Sequence, residues 1–166
     1  MVNHEPPVFC IGFALGRIAM KDTLSNILET RQLTLNVISE WFVEAANFTS
    51  TNPPKEISEW DLSGLTQSPS IKVKPAQVAE SVFSAEFQTS VTGKVTGMLC
   101  VVEGVQFHVY EEGLNEKKNA IDPGFLKPVS RLGGVTYSRS ICGYELTRPE
   151  WTDICDSDEV RKVLDN

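Results

Sequence analysis

Three short segments of this chain carry residue types whose spacing could support chemistry. Lys21-Asp22-Thr23 sets a cation, a carboxylate and a hydroxyl at what reads as the start of a helix, with Arg17 just upstream. Backbone N–H groups without helical partners, and the positive end of the helix dipole, point outward at such a start and suit a phosphate. Taken alone, the tripeptide reads first as an ordinary capped helix, with Asp22 or Thr23 as the N-cap. Asn47-Phe48-Thr49-Ser50-Thr51-Asn52 supplies five small polar side chains in six residues. They could cradle a polar ligand or simply turn the chain ahead of Pro53-Pro54. In Arg131-Leu132-Gly133-Gly134-x-x-Tyr137, a guanidinium able to pair with a carboxylate or phosphate precedes two glycines that let the backbone approach another surface closely. This is not a dinucleotide-binding loop, because the G-x-G-x-x-G spacing is missing.

Other chemistries find little support. The chain has two histidines, His4 and His108, and no Ser-His-Asp set is readable. His108 sits between Phe107 and Val109 in an alternating segment, which favours a structural role. Cys10, Cys100, Cys142 and Cys155 show no C-x-x-C spacing, so a zinc site is not indicated. Buried, reduced thiols in a cytoplasmic protein are the expectation. The net charge of -7 argues against a nucleic-acid backbone as main partner. No basic segment followed by an apolar one opens the chain, and no apolar stretch is long enough to span a membrane. What remains is an enzyme in which a cofactor performs the difficult step.

The 166 residues suggest one domain over 1–166, long enough to bury a core without staples. Residues 8–13 form an apolar, β-branched and aromatic run that reads as a buried strand. A helix follows from Asp22 or Thr23, with Leu24, Ile27 and Leu28 at helical spacing. Residues 33–38 read as a second strand, and Ser39 can cap a short helix through Asn47. From 48 to 70, Pro53, Pro54, Gly64 and Pro69 break the pattern into a surface excursion pinned by Trp60, Leu62 and Leu65. Residues 83–91 alternate apolar and polar side chains, and Thr92-Gly93-Lys94 can turn them back into a return strand through Val109, with Gly104 as a bulge. Residues 111–128 read as a loop, 135–137 and 141–146 as short strands, and 157–164 as a terminal helix. The whole is mainly β, a barrel with a few flanking helices.

Taken in order, these segments resemble the flavin reductase-like domain family, the FMN-binding split barrels. The residues carrying the resemblance are Pro6-Pro7-Val8-Phe9, Lys21-Asp22-Thr23-Leu24-x-Asn26-Ile27, Glu29-Thr30, a strand ending at Asn36, Ser39-Glu40 and Glu44-Ala45-x-Asn47-x-Thr49-Ser50. Further along come Gly64-Leu65-Thr66, Val73-Lys74-Pro75, Val78-Ala79-Glu80-Ser81, Gly104, Phe107-His108, Pro128-Val129-x-Arg131-Leu132-Gly133-Gly134-x-x-Tyr137 and Arg148-Pro149. The resemblance implies a Greek-key split β-barrel that forms a homodimer, holds FMN near the subunit interface and passes hydride between NADH or NADPH and flavin. It implies that Lys21 and Thr23 contact the FMN phosphate, that Asp22 and Asn26 shape the same turn, and that Asn47, Thr49 and Ser50 line the adjoining polar loop. Arg131 and Tyr137 match the family's late motif.

One departure stands out. Relatives usually carry opening strands before the Pro-Pro segment, with a Ser- and Asn-containing stretch that meets the flavin ring, whereas here Met1 lies five residues before Pro6. The expectation is a chain with the phosphate half of the site and without the ring half. Three readings of its activity follow: a flavin reductase-like oxidoreductase, a non-catalytic flavin-holding or interaction module, and a truncated inactive product.

Overall fold

The structure is a computed structural model that describes residues 1–14, 21–51, 53–54, 57–91 and 97–140. The expected turn at Thr92-Gly93-Lys94, the strand at 141–146, the helix at 157–164, Arg17, Cys142 and Cys155 lie outside the described residues. A four-stranded antiparallel sheet in the order β1-β6-β5-β2 forms the frame. Its strands are β1 (Val8–Ala14), β2 (Gln32–Asn36), β5 (Phe83–Val91) and β6 (Gly97–Val109). Two small antiparallel pairs accompany it: β3 (Gln67–Ser68) with β4 (Gln77–Val78), and β7 (Val129–Gly133) with β8 (Thr136–Arg139). The helices are α1 (Asp22–Thr30), α2 (Val43–Phe48), α3 (Glu59–Ser63) and α4 (Pro123–Leu126).

The alternating pattern of β5 sorts its side chains onto two faces. Ala85 and Phe87 face the core with Cys100 and Val102 of β6, and α1 closes this face with Leu24 and Ile27. Those two helical positions are three apart, so they share one face of the helix. Phe9 of β1 meets Phe87 edge to face at 5.0 Å between ring centroids. The expected bulge is present. Glu86 pairs with Gln106 and Phe87 with Gly104, so β6 carries one extra residue at Val105. A Cβ on Gly104 would stand 2.5 Å from the Phe107 ring, which explains the glycine beside the bulge.

Ser84 and Glu86 point to the other face of β5, where alternation alone would put them in solvent. Instead the 66–82 segment folds over them, and both are buried. Glu86 is the anchor of that segment. Its carboxylate accepts the backbone N–H groups of Ile71, Lys72 and Val73 at 2.8, 2.6 and 3.0 Å. The Gln77 side-chain amide adds a bond at 3.1 Å and His108 Nε2 one at 2.7 Å. A carboxylate only accepts, so His108 presents its Nε2–H. His108 therefore belongs to the structural network.

The same segment is tied to β2 by a row of polar side chains. Lys74 N donates to Gln32 Oε1 at 2.9 Å, Thr34 Oγ1 donates to the Ala76 carbonyl at 2.8 Å, and Val78 N donates to Asn36 Oδ1 at 3.0 Å. Residues 32, 34 and 36 share one side of the strand because side chains repeat every two residues, and the bonded positions 74, 76 and 78 keep the same period.

Several local expectations need correction. The N-cap of α1 is Lys21, with extended backbone and no side-chain capping bond, and Asp22 is the first helical residue. Ser39 starts a 3-10 turn over Glu40–Phe42 that runs directly into α2, so the expected helical stretch through Asn47 is present, but the buried Ser39 hydroxyl makes no capping bond. Leu62 is exposed, so Trp60 and Leu65 hold the 48–70 excursion without it. The 111–128 stretch contains α4, whose N-cap Asp122 accepts the Gly124 N–H. Cys10 is exposed and Cys100 buried, both as free thiols; Cys10 pairs with Val101 and so faces away from the side of the sheet that carries Cys100.

Candidate functional site

The first turn of α1 borders a cavity of about 450 Å³, inside the ordinary range for small-ligand sites, about 300–1,000 Å³. Asp22, Thr23 and Asn26 come to it from the helix, Asn36 from the end of β2 and Thr49 from the turn after α2. The rest of the lining is Ile38, Phe42, Ala46, Trp60, Leu65 and Val78, with the carboxylate of Glu59. The first intrahelical bond of α1 runs from Ser25 N to the Lys21 carbonyl at 3.1 Å, so the N–H groups of residues 22–24 precede it. Side-chain amides and hydroxyls, two carboxylates and a set of apolar side chains therefore line one cavity.

Four of the nine residues singled out from the sequence thus meet at one cavity: Asp22, Thr23, Asn26 and Thr49. Lys21 stands at the same helix start. Asn47 and Tyr137 are brought together elsewhere. The Tyr137 hydroxyl donates to Asn47 Oδ1 at 2.7 Å, and both line a second cavity of about 280 Å³ between α2 and the β7–β8 hairpin. Arg139 forms an ion pair with Glu40 at its edge. Ser50 and Arg131 line neither cavity. The Ser50 hydroxyl donates to the Asn47 carbonyl at 2.7 Å, and that of Thr49 to the Ala46 carbonyl at 2.8 Å, so these side chains partly do turn chemistry. Each keeps acceptor lone pairs for a ligand.

Arg131 makes its described contacts within its own hairpin. Its guanidinium donates through Nη2 to the Gly134 carbonyl at 2.8 Å and braces its own hairpin. Gly133 and Gly134 have φ of 127° and 54°, and nothing lies within 4 Å of a Cβ built on either. Both glycines serve the turn between β7 and β8. Asn36 and Glu59 are polar cavity residues that sequence reasoning left without a role, and Trp60 was read only as pinning its loop. The Gln32-x-Thr34-x-Asn36 row was the available signal: a polar face on a strand beside Leu33 and Leu35.

Against known proteins, residues 1–126 match the Flavin reductase like domain family. A protein of Halalkalibacterium halodurans is 32% identical over 159 residues, covering 90% of this chain and 74% of that protein. Among solved structures, nitrilotriacetate monooxygenase component B from Bacillus cereus aligns with a TM-score of 0.78 at 28% identity, over 87% of this chain and 74% of that one. A Shewanella frigidimarina chain described as a flavin reductase with a split barrel domain aligns with a TM-score of 0.75 at 22% identity, over 90% and 73% of the two chains, and shows the shared split-barrel fold. With residues 1–126 matched to its family model, the chain belongs to the flavin reductase-like domain family.

Proposed function

We propose that this chain is a flavin-related oxidoreductase that binds FMN in the α1 cavity and moves hydride between NADH or NADPH and the flavin. The observation that carries the reading is the convergence of Asp22, Thr23, Asn26, Asn36 and Thr49 on one cavity at the start of α1. The phosphate would lie at the helix start, held by the Thr23 hydroxyl, the leading N–H groups and the Lys21 ammonium. Inward, Asn26, Asn36 and Thr49 would hold the polar chain, and Ile38, Phe42, Trp60 and Val78 would exclude water from its apolar side. When bound, the isoalloxazine supplies the redox chemistry, and the protein contributes binding and orientation.

The reading covers the chain as a single domain and as a homodimer. Exposed apolar side chains support the second point: Leu99, Phe107 and Val109 on β6, and Leu132 and Val135 on the β7–β8 hairpin. Asn47, Ser50, Arg131 and Tyr137 would then act around the second cavity, where a nucleotide or the partner subunit could reach them. A cytoplasmic setting is part of the proposal. No helix among the described residues is long and apolar enough to cross a membrane.

The test is oxidation of NADH and of NADPH by the purified chain with added FMN. The proposal expects saturable oxidation that depends on both protein and flavin. A rate no faster than that of FMN and reductant without protein would contradict the enzymatic part. Saturable FMN binding in the same sample would then leave the flavin-holding role standing.

A further inference from the structure

Asn36 is placed to do two jobs with one amide. Its Oδ1 accepts two hydrogen bonds, from Val78 N at 3.0 Å and from Ser84 Oγ at 2.7 Å. Two donors converge on that atom, and a flipped amide would turn its NH₂ against the Val78 N–H, so the orientation is fixed by the network. The Nδ2 group must therefore point the other way. Asn36 lines the 450 Å³ cavity, and no protein acceptor meets Nδ2 among the described residues. Ile38, two residues along the chain, and Val78, held by the Oδ1 bond, line the same cavity.

We propose that Asn36 is a flavin-binding residue, donating Nδ2–H to an uncharged oxygen of the ligand, a ribityl hydroxyl or a ring carbonyl. This rests on the flavin reading above and adds a residue and a ligand region to it. The anionic end of the ligand belongs at the α1 start with Lys21 and Thr23. Asn36 lies at a strand end between apolar neighbours, where the neutral part of the molecule belongs. The strand row Gln32, Thr34, Asn36 then has a division of labour. All three fasten the 74–78 segment, and only Asn36 also faces the cavity.

Asn36→Asp separates the two jobs, because it keeps an acceptor oxygen for Val78 and Ser84 and replaces the cavity-facing donor by an acceptor. FMN and riboflavin should be titrated against the wild-type chain, Asn36→Asp and Thr34→Val. Asn36→Asp should stay folded and lose about tenfold in affinity for both ligands, the scale of one neutral hydrogen bond. Thr34→Val removes a bond of the same row but no cavity donor, and should leave both affinities unchanged. Asn36→Ser, which drops the amide without adding charge, should repeat the loss if the Asp variant fails to fold. Wild-type affinity in a folded Asn36 variant would overturn the assignment, as would a loss confined to FMN. Failure of the wild-type chain to bind either flavin would instead remove the reading on which it rests.

Discussion

Thr23 is the second residue of α1, ahead of the first intrahelical hydrogen bond, and it lines the same cavity as Asn26 and Asn36. A hydroxyl there can donate to a phosphate oxygen. A hydrogen bond to a charged group contributes about 1.5–3 kcal/mol. Thr23→Ala should therefore weaken FMN roughly ten- to hundredfold and leave riboflavin, which has no phosphate, nearly unaffected. Equal losses for the two ligands would place the phosphate elsewhere. Glu86 acts on stability rather than on the ligand. Burial pushes its carboxyl pKa up, but the N–H groups of Ile71 and Lys72, with His108 and Val73, outweigh that and hold it below the ordinary value. A carboxyl with a lower pKa in the folded chain than in the unfolded one stabilises the fold above the ordinary carboxylate range. That contribution is lost as pH falls through its folded value. Glu86→Gln would set an NH₂ among backbone donors and should cost about 3–5 kcal/mol at neutral pH. Urea unfolding across pH should also show a shallower acid limb for the variant. An unchanged acid limb would mean that Glu86 is not the group responsible.

At the scale of elements, the sequence made β1, α1, β5 and β6 legible because each has a clean period. Leu24 and Ile27 mark a helix face, and the alternation of β5 marks two sheet faces. The partner of each face was not legible. Ser84 and Glu86 read as solvent-facing because nothing in their own strand says that residues 66–82 fold over them. The cavity was half legible for a related reason. Asp22, Thr23 and Asn26 stand out as one local motif, whereas Asn36, Glu59 and Trp60 reach the cavity through contacts between segments distant in the chain. In the β7–β8 hairpin, paired glycines are compatible with both a turn and a close approach, and the backbone angles show the turn. That hairpin sits on α2 through the Tyr137 to Asn47 bond and the Arg139 to Glu40 pair. The Arg139 side chain is well exposed and that of Glu40 partly so, and such a surface pair contributes little. Tyr137→Phe should release the hairpin locally, with faster amide exchange over 129–139 and a change in global stability below about 1.5 kcal/mol. Unchanged exchange there would show that the hairpin is held by other contacts.

At the scale of the whole molecule, β1 and β2 are the edges of the described sheet, and Leu99, Phe107 and Val109 leave apolar surface on β6. Unpaired edges and apolar surface are usually covered, which supports a homodimer. Sedimentation at micromolar concentration should give twice the mass of one chain. A stable, monodisperse monomer would contradict that part of the proposal and move the flavin site wholly within one chain. The central claim is that the α1 cavity holds a flavin by its phosphate end, and a titration of the full 166-residue chain with FMN, followed by flavin fluorescence, tests it most directly. The account predicts saturable binding of one FMN per chain, with riboflavin bound more weakly by the contribution of the phosphate. No saturable change with FMN, or riboflavin bound as tightly as FMN, would contradict it.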